Sequence, residues 1–367
     1  MTGRQRLLAA IENRKPDRLP VQVHSWMPYY LNRYLGGVDQ FAAYQRFGMD
    51  MVIYMGPAYT FAEKDLANWR EEVHDLGPDA DGNRQWAHTI TTPQGVLAWR
   101  RAGNDITTWT TEHPFKSKAD AELFIRYQPV PIAADWSGVI ECRRRIGDRG
   151  IIRCGPFCFG QPSPWQSLCT WMNTEEAILE AVDDPQWVHR VLRAMLEKQL
   201  ATFLLPGWEN VDLVETGGGA GSNTVISPKL HREFCLPYDQ ALHEAIHQAG
   251  TRVVYHLCGG LMKMLDLVVE NGADGLETMT PPSMGGDCDL AEASRRVGDR
   301  LFFVGGFDQN AGFERGTPEA ARRLVRECFQ ATCDKPGGYI CSPSDHFFFG
   351  DPENVQAFAD EAARCRY

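Results

Sequence analysis

The feature that most constrains this sequence is a repeated order of strand-like run, loop marked by Gly or Pro, and helix-like segment. Eight apolar runs have the composition of buried strands, and helical segments follow most of them. This alternation is typical of a parallel sheet covered by helices and predicts an α/β fold, a (β/α)₈ barrel. The predicted strands are residues 21–26, 49–56, 150–157, 211–216, 251–258, 274–279, 300–307 and 338–343.

Helices are predicted between these strands, and three of them carry a clear start signal. Ser227, Thr317 and Asp351 are capping residues, and each is followed by proline. Proline at the first helical position costs no hydrogen bond, because the N–H there has no partner within the helix. The predicted helices are residues 185–205, 227–249, 261–271, 290–297, 317–332 and 351–364.

Residues 57–130 interrupt the alternation, since they contain turns and short runs in which polar and apolar residues alternate. The pattern predicts an antiparallel insertion after the second barrel strand, which would form part of a lid or rim. We therefore interpret residues 1–367 as one barrel domain with this insertion, because barrels often exceed the usual domain size.

Charge and cysteine content exclude several classes of protein. The net charge of -11 argues against binding to nucleic acid or anionic lipid, which both need basic surface. No apolar run approaches the roughly 20 residues of a membrane span, and the first residues do not resemble a signal peptide. The 11 cysteines are odd in number and scattered. A reducing, cytoplasmic location is therefore expected.

The strongest candidate site lies in the run Val-Val-Tyr-His-Leu-Cys-Gly-Gly. Residues i and i+2 of a strand face the same side, so His256 and Cys258 can converge on one point. Imidazole and thiolate are ligands that zinc prefers, and barrel active sites lie at the C-terminal ends of the strands. The alternative is a packed histidine beside a buried thiol. At this position both interpretations stay open.

A catalytic zinc site needs a third protein ligand, and the residues near the ends of two later strands offer four. The candidates are Glu277, Cys341, Asp345 and His346. Cys341 gives the softer donor set with Cys258, whereas Asp345 and His346 lie further along the loop. Glu277, Asp345 and His346 are also candidates for contacts with the substrate.

Two other carboxylates and one aromatic residue follow predicted strands. Glu215 ends an apolar strand before a glycine-rich loop, and it could act as general acid or base, bind metal, or hold the loop. Asp308 could face the pocket or cap the next segment. Trp26 could line a pocket for a ring or pack in the core. We interpret Glu215 and Asp308 as candidate catalytic residues and Trp26 as a candidate substrate contact.

The order of several segments resembles the uroporphyrinogen decarboxylase superfamily over nearly the whole chain. This resemblance implies a barrel enzyme. The segments are MTGRQRLLAAIENRKPDRLPV at the start, GPF at 155–157, ISPKLHREFCLPY, HLCGG, NGADGLE, FVGGFD, GTPEAARRLV, GGYICSPSDH and DPENVQAF.

The resemblance is nearer to one of the two main branches of that superfamily. Metal-free porphyrinogen decarboxylases carry an arginine-rich segment near the N-terminus, whereas Arg33 is the one basic residue in VQVHSWMPYYLNRYLGG here. A tetra-anionic substrate would lack counter-charges. The other branch consists of zinc-dependent methyltransferases with an H-x-C pair, which His256 and Cys258 match. Their later cysteine corresponds to Asp345 or His346, and Cys341 lies a few residues earlier.

The resemblance implies a Zn²⁺-dependent transfer of a methyl group between a small methoxy compound or thiol and a corrinoid. The chain has no D-x-H-x-x-G corrinoid signature, so the corrinoid is expected on a separate partner protein. A homodimer is compatible with this hypothesis. The alternatives are a metal-free decarboxylase or related lyase, with Asp308 or Glu215 handling protons, and a binding protein that uses the barrel as a receptacle.

Overall fold

A computed structural model of the protein describes residues 1–157, 162–335 and 338–367, so Cys158 lies outside the described residues. The strands in chain order are β1 (Met51–Tyr54), β2 (Ala58–Phe61), β3 (Arg70–Pro78), β4 (Arg84–Thr92), β5 (Gly95–Gly103), β6 (Thr108–Glu112), β7 (Pro131–Asp135), β8 (Gly150–Cys154), β9 (Leu213–Gly217), β10 (Arg252–His256), β11 (Gly275–Thr278), β12 (Phe302–Phe307) and β13 (Tyr339–Pro343).

The α-helices are α1 (Gly3–Ile11), α2 (Pro28–Tyr34), α3 (Gln40–Phe47), α4 (Glu63–Ala67), α5 (Lys118–Tyr127), α6 (Ser137–Ile146), α7 (Pro164–Met172), α8 (Thr174–Asp183), α9 (Pro185–Phe203), α10 (Pro228–Phe234), α11 (Leu236–Gln248), α12 (Leu265–Glu270), α13 (Leu290–Val297), α14 (Pro318–Thr332) and α15 (Pro352–Arg364). Short 3₁₀ turns lie at Gly147–Arg149, Trp208–Asn210, Gly219–Gly221 and Pro282–Met284, and a π-helical turn at Asn310–Glu314. No helix among the described residues is both long enough and apolar enough to cross a membrane.

Seven parallel strands form the main sheet, in the order β1, β8, β9, β10, β11, β12 and β13. One small apolar cluster contains Val52 from the first strand of this order and Ile340 from the last. The sheet must therefore curl until its two end strands face the same interior. The α/β class and seven of the eight predicted strands are confirmed.

The prediction of a strand at residues 21–26 is wrong in extent, since this segment makes a single bridge, between Val21 and Cys341. Side chains explain why the ladder stops. The Val21 N–H donates to the Asp50 carboxylate at 3.1 Å, and the Val23 carbonyl accepts from the Tyr44 hydroxyl at 3.3 Å. The Val21 carbonyl still accepts from the backbone N–H of Asp50. The segment therefore lies between β13 and β1 with only part of a strand's hydrogen bonds.

The predicted helix starts are confirmed by their caps, because the side chains of Ser227, Thr317 and Asp351 each accept a backbone N–H from the first turn. Two predictions need correction. The segment 227–249 is two helices that meet at Cys235, because Pro237 cannot supply the N–H that a continuous helix needs. The helix predicted at 261–271 is shorter, and covers Leu265–Glu270.

The chain between β1 and β8 contains most of the antiparallel structure. Strands β3, β4, β5 and β6 form a four-stranded antiparallel sheet, and β2 pairs with β7. Helix α5 packs against β5. The four-stranded sheet lies within the residues expected to form an insertion.

The inner face of the curled sheet has two layers of different chemistry. Toward the N-terminal ends of the strands it is apolar, and residues Leu7, Ala10 and Ile11 of helix α1 pack into this layer. Further along four neighbouring strands, β8 to β11, the same face carries polar and charged side chains. This change of chemistry along the strands positions the candidate site.

Candidate functional site

Four charged or polar side chains meet on the inner face at the C-terminal ends of neighbouring strands. Val254 on β10 belongs to the inner apolar layer, so the strand alternation directs His256 to the same side. The same alternation directs Arg153 on β8, Glu215 on β9 and Glu277 on β11 inward. The side chain of each is at most 10% exposed.

His256 is held by a carboxylate on each neighbouring strand. Its Nδ1 lies 2.9 Å from Glu277 Oε1 and 3.5 Å from Glu215 Oε1. A carboxylate on one ring nitrogen fixes the orientation of an imidazole and leaves the other nitrogen available, as in most histidines that bind metals. The structure therefore brings His256, Glu215 and Glu277 together.

Arg153 supplies the balancing positive charge. Its Nη2 donates to Glu215 Oε2 at 2.7 Å and also to Glu277 Oε1, and its guanidinium lies 4.8 Å from the centre of the Tyr54 ring. The side chain is only 1% exposed. Because both contacts and burial commit this guanidinium to the protein's own groups, it is not accessible to the carboxylates of a substrate.

Two further histidines extend the group. Rings of His24 and His256 are 5.5 Å apart, and rings of His24 and His346 are 4.7 Å apart. His24, His256 and Glu277 each offer a ligand atom within 4.8 Å of the others, and all three are buried. His346 Nδ1 lies 2.8 Å from the Ser25 hydroxyl, which orients its ring.

Burial and charge shift the pKa values of the two carboxyl groups in opposite directions. Burial, together with the charge of Glu277, raises the pKa of Glu215 to about 8. Burial would also raise the pKa of Glu277, but the nearby Arg153 guanidinium and the hydrogen bond with His256 hold it well below its usual range.

The pKa values of His24 and His256 are also shifted in opposite directions. Burial lowers the pKa of His24 to about 3, so its imidazole is neutral. Burial acts in the same direction on His256, but hydrogen bonds with Cys258 and Glu277 raise its pKa well above the usual value. The imidazole that binds metal is the neutral form, and His24 is already in this form.

Cys258 follows the end of β10, and its side chain contributes to the raised pKa of His256. It is partly exposed, whereas His256 is buried. The adjacent chain approaches closely, because a Cβ added at Gly219 would lie 2.6 Å from the Cys258 Sγ. The sequence pair is therefore brought together, with the thiol on the more open side.

The structure does not bring Cys341 to this group. Its neighbour Ile340 belongs to the inner apolar layer, so Cys341 faces the helices on the other side of the sheet. There burial and the neighbouring Cys328 of α14 raise the pKa of the Cys341 thiol well above its usual value. Strand alternation therefore corrects the expectation that Cys341 completes the ligand set.

The other predicted residues lie around the group. Asp308 Oδ2 accepts from the Ser283 hydroxyl at 2.6 Å, and its Oδ1 accepts from the Ala311 N–H at 2.9 Å, so it caps a turn. Asp345 is exposed, and its Oδ1 accepts the N–H of His346. Trp26 is packed against aromatic side chains, namely Tyr30, Tyr44, Phe47 and Phe347.

Arg153 was not predicted as part of the site, and His24 was not predicted as a ligand. For Arg153 a signal existed, because an arginine inside the apolar run Gly-Ile-Ile-Arg-Cys must have a buried partner. His24 lies in a segment that is not a regular strand, so the alternation of side chains along a strand could not predict which side of the sheet it faces.

Comparisons with known proteins bear on the family and on the fold. The family profile described as Uroporphyrinogen decarboxylase (URO-D) matches residues 154–365. A uroporphyrinogen decarboxylase of Thioalkalivibrio sulfidiphilus (strain HL-EbGR7) is 31% identical over 221 residues, which are 55% of this chain and 58% of that protein. This chain thus spans little more than half of that relative.

A second kind of relative is also similar. A methylated-thiol–coenzyme M methyltransferase of Methanosarcina mazei is 25% identical over 194 residues, which cover 53% of this chain and 46% of that protein. Among solved structures, a methyltransferase from Methanosarcina mazei aligns with a TM-score of 0.67 at 15% identity, and covers 99% of both chains. At this identity the structural match supports the fold.

Proposed function

The chain belongs to the uroporphyrinogen decarboxylase family, and from this premise we propose that it is a zinc-dependent methyltransferase that moves a methyl group between a small molecule and a corrinoid protein. The observation that carries the proposal is His256, with Nδ1 2.9 Å from the Glu277 carboxylate and Cys258 beside it at the mouth of the curled sheet. The likeness to a methylated-thiol–coenzyme M methyltransferase supports the same reading.

The residues present fit a zinc ion. His256 and Cys258 provide the nitrogen and sulfur donors that zinc prefers, and Glu277 adds a carboxylate oxygen beside them. Glu277 Oε2 is buried and has no hydrogen-bond partner among the described residues, as expected for an oxygen that faces a cation. Zinc bound there would activate a thiolate or make a methoxy oxygen a better leaving group.

The remaining residues have distinct proposed roles. Arg153 neutralises Glu277 and fixes its position. Glu215 is the least buried member of the ion pairs, at 10% side-chain exposure against 1% for Arg153, so we assign it to the substrate side as the acid–base group. Tyr54 covers the Arg153 guanidinium and limits the access of water. A catalytic role for Asp308 stays a prediction, because both of its oxygens are engaged elsewhere.

The wider setting is part of the proposal. We propose that the segment around Val21 takes the eighth position of a (β/α)₈ barrel, that residues 1–367 are one domain, and that residues 57–130 are its insertion. The substrate is a methoxy compound or a thiol. A separate corrinoid protein in the cytoplasm is the proposed partner, and a homodimer is compatible with the arrangement.

The second candidate is a metal-free decarboxylase, which the uroporphyrinogen decarboxylase relatives favour. The charge of the site argues against it. Arg153 is committed to Glu215 and Glu277, and Arg33 is exposed on helix α2. Four substrate carboxylates would therefore meet two acidic side chains with little compensating positive charge.

The direct test combines metal analysis with a methyl-transfer assay. Protein purified without added zinc is expected to hold about one zinc per chain. It should exchange methyl groups between a free corrinoid and a panel of thiols and methoxy compounds. His256→Ala and Cys258→Ala should lose both properties. Unchanged metal content and activity in both variants would refute the proposal, and carbon dioxide release from uroporphyrinogen would favour the second candidate.

A further inference from the structure

The side chain of His24 approaches the site from a segment outside the seven strands. Its Nδ1 lies 4.0 Å from Glu277 Oε2, and its side chain is 8% exposed. Two atoms bound to one zinc ion at about 2.1 Å each lie at most about 4.2 Å apart. This pair is already within that limit, and since all ligand atoms of the group lie within 4.8 Å of one another, only a small contraction is needed.

Glu277 provides the second observation. Its Oε1 is occupied by Arg153 and by His256 Nδ1, whereas its Oε2 is buried without a hydrogen-bond partner in the part of the chain that the structure describes. An ionised oxygen in the interior without a donor is costly. Because Oε2 lies toward His24, the missing partner belongs on that side.

The position of His24 is fixed by neighbours on two sides. The backbone N–H of Gln22 donates to the Cys341 carbonyl, which anchors the segment to β13. The ring of His346 packs edge-on against His24 at 4.7 Å, and Ser25 holds His346 in place. The three donors therefore come from three separate parts of the chain, namely the segment of His24, strand β10 and strand β11. They already lie close together.

On these grounds we infer that His24 binds the metal ion together with His256 and Glu277, and that Cys258 is its one sulfur donor. The inference rests on the proposed function and deepens it. A ligand set rich in nitrogen and oxygen selects metal ions differently from a ligand set with two thiolates. Soft sulfur ligands favour Zn²⁺, whereas imidazole and carboxylate ligands also suit Co²⁺, Fe²⁺ and Mn²⁺. The site should therefore accept Co²⁺ readily.

Cobalt substitution gives a readout that does not depend on activity. The full-length protein is stripped with a chelator and titrated with Co²⁺, and the thiolate-to-cobalt charge-transfer band and the affinity are measured. His24→Gln should weaken the affinity on the order of 100-fold, at the upper end of the effect of losing a group that supports a metal. Cys341→Ala is the matched control and should match the wild type, since Cys341 lies behind the sheet.

A gain of signal separates a ligand from a merely structural residue. His24→Cys should bind Co²⁺ with a charge-transfer band clearly stronger than that of the wild type, because a second thiolate joins the ion. A structural role would not add this band.

The outcomes separate the two proposals. If His24→Gln binds Co²⁺ as the wild type does and His24→Cys adds no band, while His256→Gln loses the metal, the inference is overturned and the metal-dependent function stands. If the wild type binds neither Co²⁺ nor Zn²⁺, both are overturned. Loss of metal from Cys341→Ala with normal circular dichroism would also overturn the inference.

Discussion

Arg153 and Glu277 form an ion pair in which the side chains are 1% and 0% exposed. They come from strands that are separated in the sheet by β9 and β10, so their contact spans the inner face. Little solvent screens this pair, and neither charge has access to water as a substitute partner. The stability of the fold and the geometry of the site therefore depend on the same contact.

Removing one partner of this pair should destabilise the protein strongly. Arg153→Met leaves Glu277 buried without its counter-charge, so we expect a loss of about 3 to 5 kcal/mol in the free energy of unfolding, measured with urea at neutral pH. The double variant Arg153→Met/Glu277→Met should recover much of this loss, because no unpaired charge remains.

The matched control for Arg153 is an exposed ion pair. Arg144 and Glu141 on helix α6 are 77% and 62% exposed, so Arg144→Met should change the stability by less than about 0.5 kcal/mol. A loss below about 1 kcal/mol for Arg153→Met would contradict the prediction.

The buried carboxyl of Asp239 should make stability depend on pH. It accepts hydrogen bonds from Ser163 and Tyr255, and burial raises its pKa from 3.8 to about 6. Between about pH 4 and pH 6 the folded protein keeps a proton that the unfolded chain releases. The contribution of Asp239 to stability therefore falls as the pH rises through this window, by at most roughly 3 kcal/mol.

Asp239→Asn should remove this dependence. The difference in unfolding free energy between wild type and variant, measured by urea denaturation at several values from pH 4.5 to pH 7, should change steadily with pH. Glu244→Gln, at an exposed position of the same helix, controls for the loss of a negative charge. A difference that is constant with pH would show that Asp239 has its ordinary pKa.

Gly219 should matter because of the space it leaves for Cys258. Alanine there would place its Cβ 2.6 Å from the Cys258 Sγ, so the thiol must shift. We expect Gly219→Ala to weaken zinc affinity about tenfold, as for other changes that misplace a metal ligand. Gly138→Ala is the control, since its nearest atom, on Met55, would be 3.7 Å away. Equal zinc affinities for the two variants would exclude this role.

Zinc should stabilise the folded protein through Glu277. At a free zinc concentration 100 times the dissociation constant, the free energy of unfolding should rise by about 2.7 kcal/mol if only the folded state binds. Glu277→Gln keeps the shape but removes the charge, and should abolish most of this rise. Glu292→Gln, in a partly exposed ion pair with Arg295, should keep it. A full zinc effect in Glu277→Gln would mean that the ion binds elsewhere.

The strand pattern of the sequence predicts the seven strands of the main sheet. It does not predict that the segment at residues 21–26 makes only a single bridge. Seven runs become strands because apolar composition and bounding glycines decide their burial. Val21 and its neighbours have the same composition, but the side chains of Asp50 and Tyr44 take their hydrogen bonds, and such competition is tertiary. The end of one helix and the start of the next at Cys235 could in principle be predicted from Pro237, because proline has no N–H to continue the helix.

The site follows the same division. His256 and Glu277 could be placed because each is the last or the last but one residue of a regular strand, where the alternation of side chains shows which residues share a face. The same alternation places Cys341 on the outer face, since its neighbour Ile340 occupies the inner face. The sequence alone, however, does not show which of the two faces is the inner one. His24 lies where no regular strand exists, so only the folded chain shows that it joins the group.

The helix at the start of the chain has a consequence for the opposite end of the sheet. Leu7, Ala10 and Ile11 of α1 fill the apolar layer beneath the charged one. Their side chains close the N-terminal side of the interior, beneath Arg153, Glu277 and His256. The effective dielectric around the reactive groups is thus set partly by residues that never touch them, and a change in α1 that admits water from below would weaken every charge interaction above it.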